Sequence, residues 1–255
     1  MAAQNPGVLP QSVEIAWGLR DRPTKGPKPT LHIDRIVEAA VRIAAADGLG
    51  AVSMGRVAKE LGVGTMSLYR HVGAKDELLV LMTEAAYDTP PPEAVPGEHW
   101  RDGLTRWARR LFEVSTTNSW VLRMPVAGPP ATPNQLAWME GALTVLAGSG
   151  LAPARQVEVV MLLAGFVRTE ATTASDLATA LATAGSSEQE AMEAYGRLMT
   201  KLVTPQRFPQ VAAAFAAGVA EEDDSPQQRF DFGLTVLLDG IGALIEKGVR
   251  RPGTS

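Results

Sequence analysis

Residues 53–79 constrain the fold more than any other stretch of the chain, because they predict two short helices separated by a tight turn. The first helix has apolar residues at i, i+3, i+4 and i+7, the spacing that creates one apolar face: Met54, Val57, Ala58 and Leu61. Ser53 stands directly before them, where its hydroxyl can accept from a first-turn amide as an N-cap. The Gly-Val-Gly segment 62–64 then ends the helix, since glycine reaches the positive φ that a sharp turn requires.

The second short helix combines an apolar inner face with a polar outer face. Leu68 and Val72 are one turn apart and predict the side that packs inward. The outer side carries hydrogen-bonding side chains: Thr65, Ser67, Tyr69, Arg70 and His71. Two short helices, a glycine-containing turn and an outward polar face on the second helix describe a helix-turn-helix, which is a DNA-binding motif.

A family resemblance rests on two adjacent runs of this stretch. Residues 61–72 read Leu-Gly-Val-Gly-Thr-Met-Ser-Leu-Tyr-Arg-His-Val, and residues 74–79 read Ala-Lys-Asp-Glu-Leu-Leu. Together they resemble the DNA-binding segment of the tetracycline-repressor (TetR) family, and four side chains stand at the family's spacing: Leu68, Tyr69, His71 and Lys75. The resemblance covers residues 31–88. It implies an all-α protein in which an N-terminal three-helix helix-turn-helix domain precedes a larger helical domain for ligand binding and dimerisation.

Composition divides the chain into three parts. Residues 1–30 include five prolines and three glycines and predict a flexible basic arm. Residues 31–88 contain the helix-turn-helix and the helix that connects it to the rest. The consecutive prolines 90–92 cannot continue a helix and mark a border. Residues 98–255 then predict a helical domain, to which the resemblance assigns effector binding and dimerisation.

The N-terminal arm has two interpretations that the sequence leaves open. Its basic side chains face a single acidic residue, Asp21, between positions 18 and 30: Arg20, Arg22, Lys25 and Lys28. Such a segment is either a solvated tail or an arm that follows phosphates or enters a minor groove of DNA.

Helical periodicity covers the rest of the chain. One apolar stripe predicts a supporting helix behind the motif: Ile33, Ile36, Val37, Ala40, Val41 and Ala44. The predicted helices beside the motif span 30–48, 75–87, 98–116, 132–148, a long segment from 153, and 186–203, 208–220 and 225–247. A short turn of helix is expected after residue 118. Sustained alternation of apolar and polar residues is missing from the sequence, so strands are not expected.

The final helix carries apolar residues on more than one face: Phe230, Phe232, Leu234, Val236, Leu237, Ile241, Leu244 and Ile245. Such a helix must bury a second surface, either in its own domain or against another copy of the chain. The family resemblance implies a dimer interface made by the last two long helices. One recognition helix also reads too few base pairs for useful specificity. We therefore predict a homodimer through the last helices.

The resemblance implies that the second helix of the motif enters the major groove of double-stranded operator DNA. Residues expected at base edges are Thr65, Met66, Ser67, Arg70 and His71. Ser53, Tyr69 and Lys75 are expected to position the protein on phosphates. The tetracycline repressor has a base-reading arginine where this chain has Gly55, and the adjacent Arg56 is a further candidate contact. Arg70 is our main candidate for direct readout, since a guanidinium pairs with guanine through two hydrogen bonds.

The resemblance also implies a pocket for a small-molecule effector in the helical domain. Candidate lining residues are aromatic side chains and methionines: Trp107, Phe112, Trp120, Met124, Trp138, Met161, Phe166, Met192 and Met199. Arg123, Arg168 and Glu170 could orient a ligand. The alternative is that these side chains form plain core, surface or interface. A bound effector is expected to move the helix at 75–87 and thereby respace the two recognition helices.

Composition argues against several other classes. The chain has no cysteine, and His32, His71 and His99 lack metal-ligand spacing, so neither a metal nor another cofactor is expected. Catalytic motifs are missing, so an enzyme is not expected. A non-specific architectural DNA-binding protein remains the alternative, although a net charge of −4 disfavours it. Apolar runs are too short to cross a membrane, and we expect a soluble, cytoplasmic protein.

Overall fold

A computed structural model describes residues 9–19, 31–126, 128–219 and 225–249 of the chain. The basic side chains of the N-terminal arm, from Arg20 to Lys28, lie outside these residues. The described α-helices are α1 (Gln11–Ala16), α2 (Ile33–Asp47), α3 (Met54–Leu61), α4 (Thr65–Tyr69), α5 (Lys75–Ala86), α6 (Trp100–Thr117), α7 (Pro133–Leu146), α8 (Pro153–Ala184), α9 (Glu188–Leu202), α10 (Pro209–Ala216) and α11 (Pro226–Val249). Short 3-10 helices cover Leu49–Ala51 and Ser119–Arg123. These residues include no strand, and the all-α prediction is confirmed.

Local signals set the ends of the N-terminal helices. Gly48, with a φ of 79°, ends α2, and the left-handed Gly62, with a φ of 67°, ends α3. The Ser53 hydroxyl accepts a hydrogen bond of 3.2 Å from the Arg56 amide and caps α3 as predicted. Gly64 has a φ of −72°, so the turn needs positive φ only at Gly62 and not at both glycines.

Helices α2, α3 and α4 form a compact three-helix unit. Ile36 on α2, Val57 on α3 and Leu68 on α4 are fully buried. The predicted stripe of α2 packs against α3 and α5, which confirms its supporting role. The core of the unit continues into α5 and the C-terminal half, and the outer sides of α3 and α4 remain free for contacts elsewhere.

The flexible-arm prediction does not hold for the described part of the N-terminus. Residues Gln11–Ala16 form a helix that packs against α5, with Ser12 only 2% exposed. Prolines and glycines surround this helix, so its short amphipathic pattern was not recognised in the sequence. Its apolar side chain Ile15 packs on the core. Pro10 stands at the N-cap, where the absence of an amide hydrogen removes one donor that a helix start would leave unpaired.

Helices α6, α7, α8 and α11 form the body of the C-terminal half. The central pair is α6 and α8, with α7 on one side and α11 on another. Trp107, Leu146, Leu163 and Phe230 are among the buried core side chains that join these helices. No described helix is long and apolar enough to cross a membrane.

Helices α9 and α10 are arranged differently from this body. They pack mainly on each other, and neither contains a buried residue. Helix α9 starts with a capping box in which Ser187 and Glu190 each bond the other's backbone amide. An ion pair of 3.0 Å between Glu188 and Arg229 joins the start of α9 to α11.

Candidate functional site

The recognition element presents the polar surface that its sequence predicts. Leu68 and Val72 are fully buried, and they hold α4 against the rest of the three-helix unit. On the opposite side Met66 is 73% exposed and Tyr69 is 42% exposed. Arg70 is exposed at the C-cap of α4, while Thr65, Ser67 and His71 are half-buried. The structure therefore brings these predicted contact residues together around one short exposed helix.

The start of α5 lies next to this surface. Lys75 is its first residue and is exposed, three residues after the buried Val72. The Glu77 carboxylate accepts a hydrogen bond of 2.9 Å from the Gly73 amide and so fixes the turn between α4 and α5. An ammonium group held at a helix start, where backbone amides also point outward, suits a phosphate oxygen.

Arg56 is a predicted contact whose charge is already paired within the chain. Its guanidinium forms an ion pair with Asp47 at the end of α2. The two side chains are 45% and 49% exposed, so the pair lies on the surface. The ion pair orients Arg56 along the supporting helix, and a DNA contact would have to share or replace Asp47.

The junction between α5 and α7 contains hydrogen bonds that sequence reasoning missed. The Glu84 carboxylate accepts from the Asn134 amide at 2.9 and 3.1 Å, and the Asn134 side chain donates to the Glu84 carbonyl at 3.0 Å. The Trp138 indole donates to the Thr89 carbonyl at 3.0 Å, just beyond α5. The sequence signal for α7 was its Thr132-Pro133 start, which does not identify the glutamate 50 residues earlier.

Two of the predicted pocket residues form part of a tryptophan cluster. The Trp107 indole donates to the Trp138 carbonyl at 2.9 Å, and the two ring systems meet edge to face with centroids 6.1 Å apart. Tyr87 contacts Trp138 in a similar arrangement at 6.4 Å. The exposed fractions of Trp107 and Trp138 are 3% and 4%, so both side chains are buried core.

A second aromatic group includes Phe112 and Phe166, also predicted pocket residues. Both pack on Phe230 of α11, with centroid separations of 4.5 and 5.5 Å. The absence of a side chain at Gly233 permits this approach, since a Cβ there would lie 2.7 Å from the Phe166 ring. The stack therefore joins α6, α8 and α11 around one fully buried phenylalanine.

Arg168 ties α8 to the 3-10 helix at Ser119–Arg123. Its guanidinium donates to the carbonyls of Leu122 and Met124, each at 2.7 Å.

The pKa of Tyr87 is raised by burial of its side chain, while the Arg168 charge and a hydrogen bond with Ser115 lower it. Arg168 thus faces a small polar cluster inside the domain.

The remaining predicted pocket residues are distributed over several surroundings. Trp120 and Met124 are 4% and 5% exposed and belong to the core. Met161 is 46% exposed on α8, and Met192 and Met199 are half-buried on α9, away from the α6–α8 body. Arg123 forms an ion pair with Asp176, and Glu170 is half-buried on α8.

Open clefts lie beside the Phe112–Phe230 stack. The larger has a volume of about 910 Å³, and a neighbouring cleft of about 770 Å³ carries charged side chains of α6. Hydroxyl groups and small side chains line the larger cleft: Thr116, Ser119, Ala174, Ser175, Ala178, Thr179, Ala182, Thr183 and Ser225. Among the predicted pocket residues, Phe112 lines both of these clefts.

Known protein families match most of the chain. Residues 36–82 match the family described as "Bacterial regulatory proteins, tetR family". Residues 92–245 match the family described as "Tetracyclin repressor-like, C-terminal domain". The chain is 35% identical over 241 residues to the HTH-type transcriptional repressor DrrR1 of Streptomyces coeruleorubidus, covering 94% of this chain and 87% of that protein.

Solved structures give the same result. The fold is similar to apo ActR from Streptomyces coelicolor, with a TM-score of 0.71 and 27% identity over 87% of this chain and 99% of that one. ActR in complex with actinorhodin matches with a TM-score of 0.69 and 29% identity over 83% and 95% of the two chains. With its helix-turn-helix, its larger all-α domain and these relatives, the chain belongs to the TetR family of transcriptional regulators.

Proposed function

We propose that this protein is a cytoplasmic homodimeric repressor that leaves its operator when a small, largely apolar molecule binds its helical domain. The observation that carries the proposal is the surface of α4. Met66, Tyr69 and Arg70 are exposed on its outer side above the fully buried Leu68, and the exposed Lys75 stands at the start of the next helix. A short helix anchored in this way can enter a major groove without any change in the core behind it.

The proposed DNA contacts divide into two groups. Thr65, Met66, Ser67, Arg70 and His71 face base edges, and Arg70 supplies the main direct readout. Phosphates are bound by the remaining members of the set: Ser53, Arg56, Tyr69 and Lys75. Met66, Arg70 and Lys75 are exposed, so these three side chains are accessible to DNA.

The proposed dimer forms through α8 and α11. Large apolar side chains are exposed on both helices: Met161, Leu162, Phe232, Val236 and Leu244. Phe232 is 74% exposed, although Phe230 two residues earlier is fully buried. An extended apolar surface of this kind is typical of an interface and is costly to leave in water.

The proposed effector site lies where the larger cleft meets the aromatic interior. Phe112 belongs to both, because it lines the cleft and packs on Phe230. The interior beyond it holds the other candidate contacts: Trp107, Trp120, Met124, Trp138, Phe166 and Arg168. ActR is a relative whose structures contain actinorhodin and (S)-DNPA, which supports a small-molecule effector for this chain.

The proposed signal path runs through α5. Helix α5 packs on α2 of the DNA-binding unit and is hydrogen-bonded to α7 through Glu84 and Asn134. A ligand that favours a different placement of α7 would therefore move α5 and with it the recognition helix. Half-sites in successive major grooves lie about 34–36 Å apart, so a small displacement of each recognition helix prevents simultaneous contact. The ligand must bind the two conformations with different affinity to have this effect.

A gel-shift experiment tests the proposal. The full chain is added to labelled DNA that flanks its own gene, with excess unrelated DNA as competitor at physiological salt. We expect retardation that survives the competitor and is lost when actinorhodin or a related aromatic compound is added. Retardation abolished by the competitor would contradict a specific repressor and indicate non-specific binding. Specific retardation that no compound relieves would contradict the effector proposal alone.

A further inference from the structure

Helix α1 makes contacts with both halves of the molecule. Its body packs on α5, where Ser12 is 2% exposed and Ile15 and Ala16 join the core. The side chains of Gln11 and Trp17, near its two ends, donate hydrogen bonds to different parts of the molecule. The segment 11–17, called the N-terminal bridge below, thus has two separate attachments besides its packing on α5.

The first attachment is to the end of the recognition element. The Gln11 side-chain amide donates a hydrogen bond of 3.2 Å to the carbonyl of His71, in a partly buried position. Its carbonyl oxygen lies over Gly73, where an added Cβ would come within 3.2 Å of it. Gln11 therefore contacts the turn that connects α4 to α5, the same turn that the Glu77 carboxylate holds through Gly73.

The second attachment is to the segment that starts α7. The Trp17 indole donates a hydrogen bond of 2.9 Å to the carbonyl of Ala131, 114 residues later in the chain. Ala131 is itself held to α7, since its amide donates to the Gln135 side chain at 3.3 Å. The adjacent Thr132 is 1% exposed, so the residue that follows Ala131 is buried in the domain. The hydrogen bond of Trp17 therefore depends on the position of α7.

We propose that the N-terminal bridge couples the orientation of the recognition helix to the position of α7, in parallel with the Glu84–Asn134 contact. Both connections join the DNA-binding unit to α7, but they run along different parts of α5. Glu84 acts near the C-terminal end of α5, and Gln11 acts just before its N-terminal end. A displacement of α7 therefore either carries the bridge with it or breaks one of its two attachments.

The two attachments act in series, which distinguishes a bridge from ordinary packing. A bridge transmits displacement only while both ends are attached, so cutting either end has the same effect as cutting both. Independent stabilising contacts behave differently, because their effects add when they do not share a partner. The arrangement therefore predicts a specific pattern among two single variants and their double variant.

Distance measurements on the full chain test this pattern and require neither operator nor effector. The chain contains no cysteine, so spin labels can be placed at Lys59→Cys on α3 and Glu140→Cys on α7 without background. Both positions are exposed. Labelled protein is diluted in excess unlabelled protein, so that distances between copies do not contribute. Double electron–electron resonance then gives the distribution of distances between α3 and α7 in one chain.

Each variant removes the hydrogen-bond donor of one attachment and keeps an apolar side chain in its place. Trp17→Phe removes the indole N–H and keeps an aromatic ring, and Gln11→Leu keeps the size of the side chain. We expect each to broaden the distance distribution or shift its maximum, and the double variant to match the larger single effect. Leu19→Ala is the matched control, because Leu19 is 63% exposed and lies two residues beyond Trp17. Circular dichroism verifies that the helical content is unchanged.

The opposite results are equally specific. Unchanged distributions in both single variants would overturn the bridge, and so would effects that simply add in the double variant. An effect of Leu19→Ala as large as that of Trp17→Phe would also overturn it, because the indole hydrogen bond would then not be the cause. Loss of helical content in Gln11→Leu alone would leave Trp17→Phe to decide between the two outcomes by the same distances.

Discussion

The DNA-binding unit and the helices α8 and α11 differ in how far their apolar side chains are exposed. In the first, Ile36, Leu68 and Val72 are fully buried within one chain. In the second, Leu162 is 56% exposed and Phe232 is 74% exposed. The comparison indicates that the DNA-binding unit buries its apolar stripes within one chain, whereas the C-terminal helices leave an exposed apolar surface that the proposed dimer would cover.

Helix geometry explains this difference. Helices α3 and α4 are short and carry one apolar stripe each, and Met54, Val57, Ala58 and Leu68 of these stripes are buried by the neighbouring helices. Helix α11 has 24 residues, and its apolar residues occupy more than one face. Phe230 and Leu234 face inward and are buried, while Phe232 and Val236, offset by two residues, face outward. Only one of these faces can pack inside the chain.

The largest expected effect is the loss of the closed core in Ile36→Ala. Removing a fully buried isoleucine should lower the free energy of unfolding by about 2–5 kcal/mol, because a cavity replaces its contacts. Urea denaturation followed by circular dichroism measures the change. Glu38→Ala is the control, since Glu38 is exposed on the same helix and its loss should cost no more than about 0.5 kcal/mol. Equal costs in the two variants would mean that α2 does not support the motif.

The next effect concerns association rather than folding. Phe232→Asp places a charge on the proposed interface and should weaken dimerisation by about 2 kcal/mol or more, roughly 30-fold. Light scattering coupled to gel filtration should show a shift from dimer to monomer with helical content unchanged. Glu246→Gln tests whether any charge change on α11 has this effect. A Phe232→Asp protein that stays dimeric would exclude this face from the interface.

Arg70→Ala tests the proposed base contact on the outer surface of the DNA-binding unit. Arg70 is exposed and contributes little to the core, so the variant should keep its stability and its dimer. It should lose about 1–3 kcal/mol of discrimination at one base pair in each half-site, because two hydrogen bonds to guanine are removed. Selection from a randomised operator measures the preference at every position. A uniform loss across all positions would assign Arg70 to a phosphate instead.

The smallest expected effect is that of Lys75→Ala. This variant should weaken binding equally for all sequences and lower the slope of log affinity against log salt by about one, since one phosphate contact is lost. Titrations at several salt concentrations measure the slope. Asp76→Ala is the neighbouring control and should not lower it. An unchanged slope in Lys75→Ala would remove this residue from the phosphate contacts.

Features that depend on nearby residues were predictable from the sequence. Ser53 caps α3, and Gly62 ends it in the left-handed conformation, because both signals act within one turn of helix. Leu68 and Val72 were predicted to face inward for the same reason. The predicted long helix from residue 153 also holds and extends to Ala184. Helix α1 was missed, since a six-residue segment between prolines and glycines carries too weak a period to recognise.

The candidate effector site was less predictable. An aromatic or methionine side chain at helical spacing has the same pattern in a core, a pocket or an interface. Trp107 and Trp138 are buried core in which the Trp107 indole donates to the Trp138 carbonyl, while Met161 is exposed beside Leu162 on the proposed interface. The hydroxyl groups that line the larger cleft come from α6, the 3-10 helix at Ser119–Arg123, α8 and the residue before α11, and no short stretch of sequence brings them together.

The sequence by itself determined the helical class, the helix-turn-helix and the polar surface of its second helix, because these follow from residue spacing along one helix. Tertiary structure alone decided which distant groups meet. Glu84 reaches Asn134 across 50 residues, and Trp17 reaches Ala131 across 114. Such contacts depend on how whole helices pack, and a hydrogen-bonding side chain gives no indication of a partner so far along the chain. The connections between the DNA-binding unit and the C-terminal domain belong to this second class.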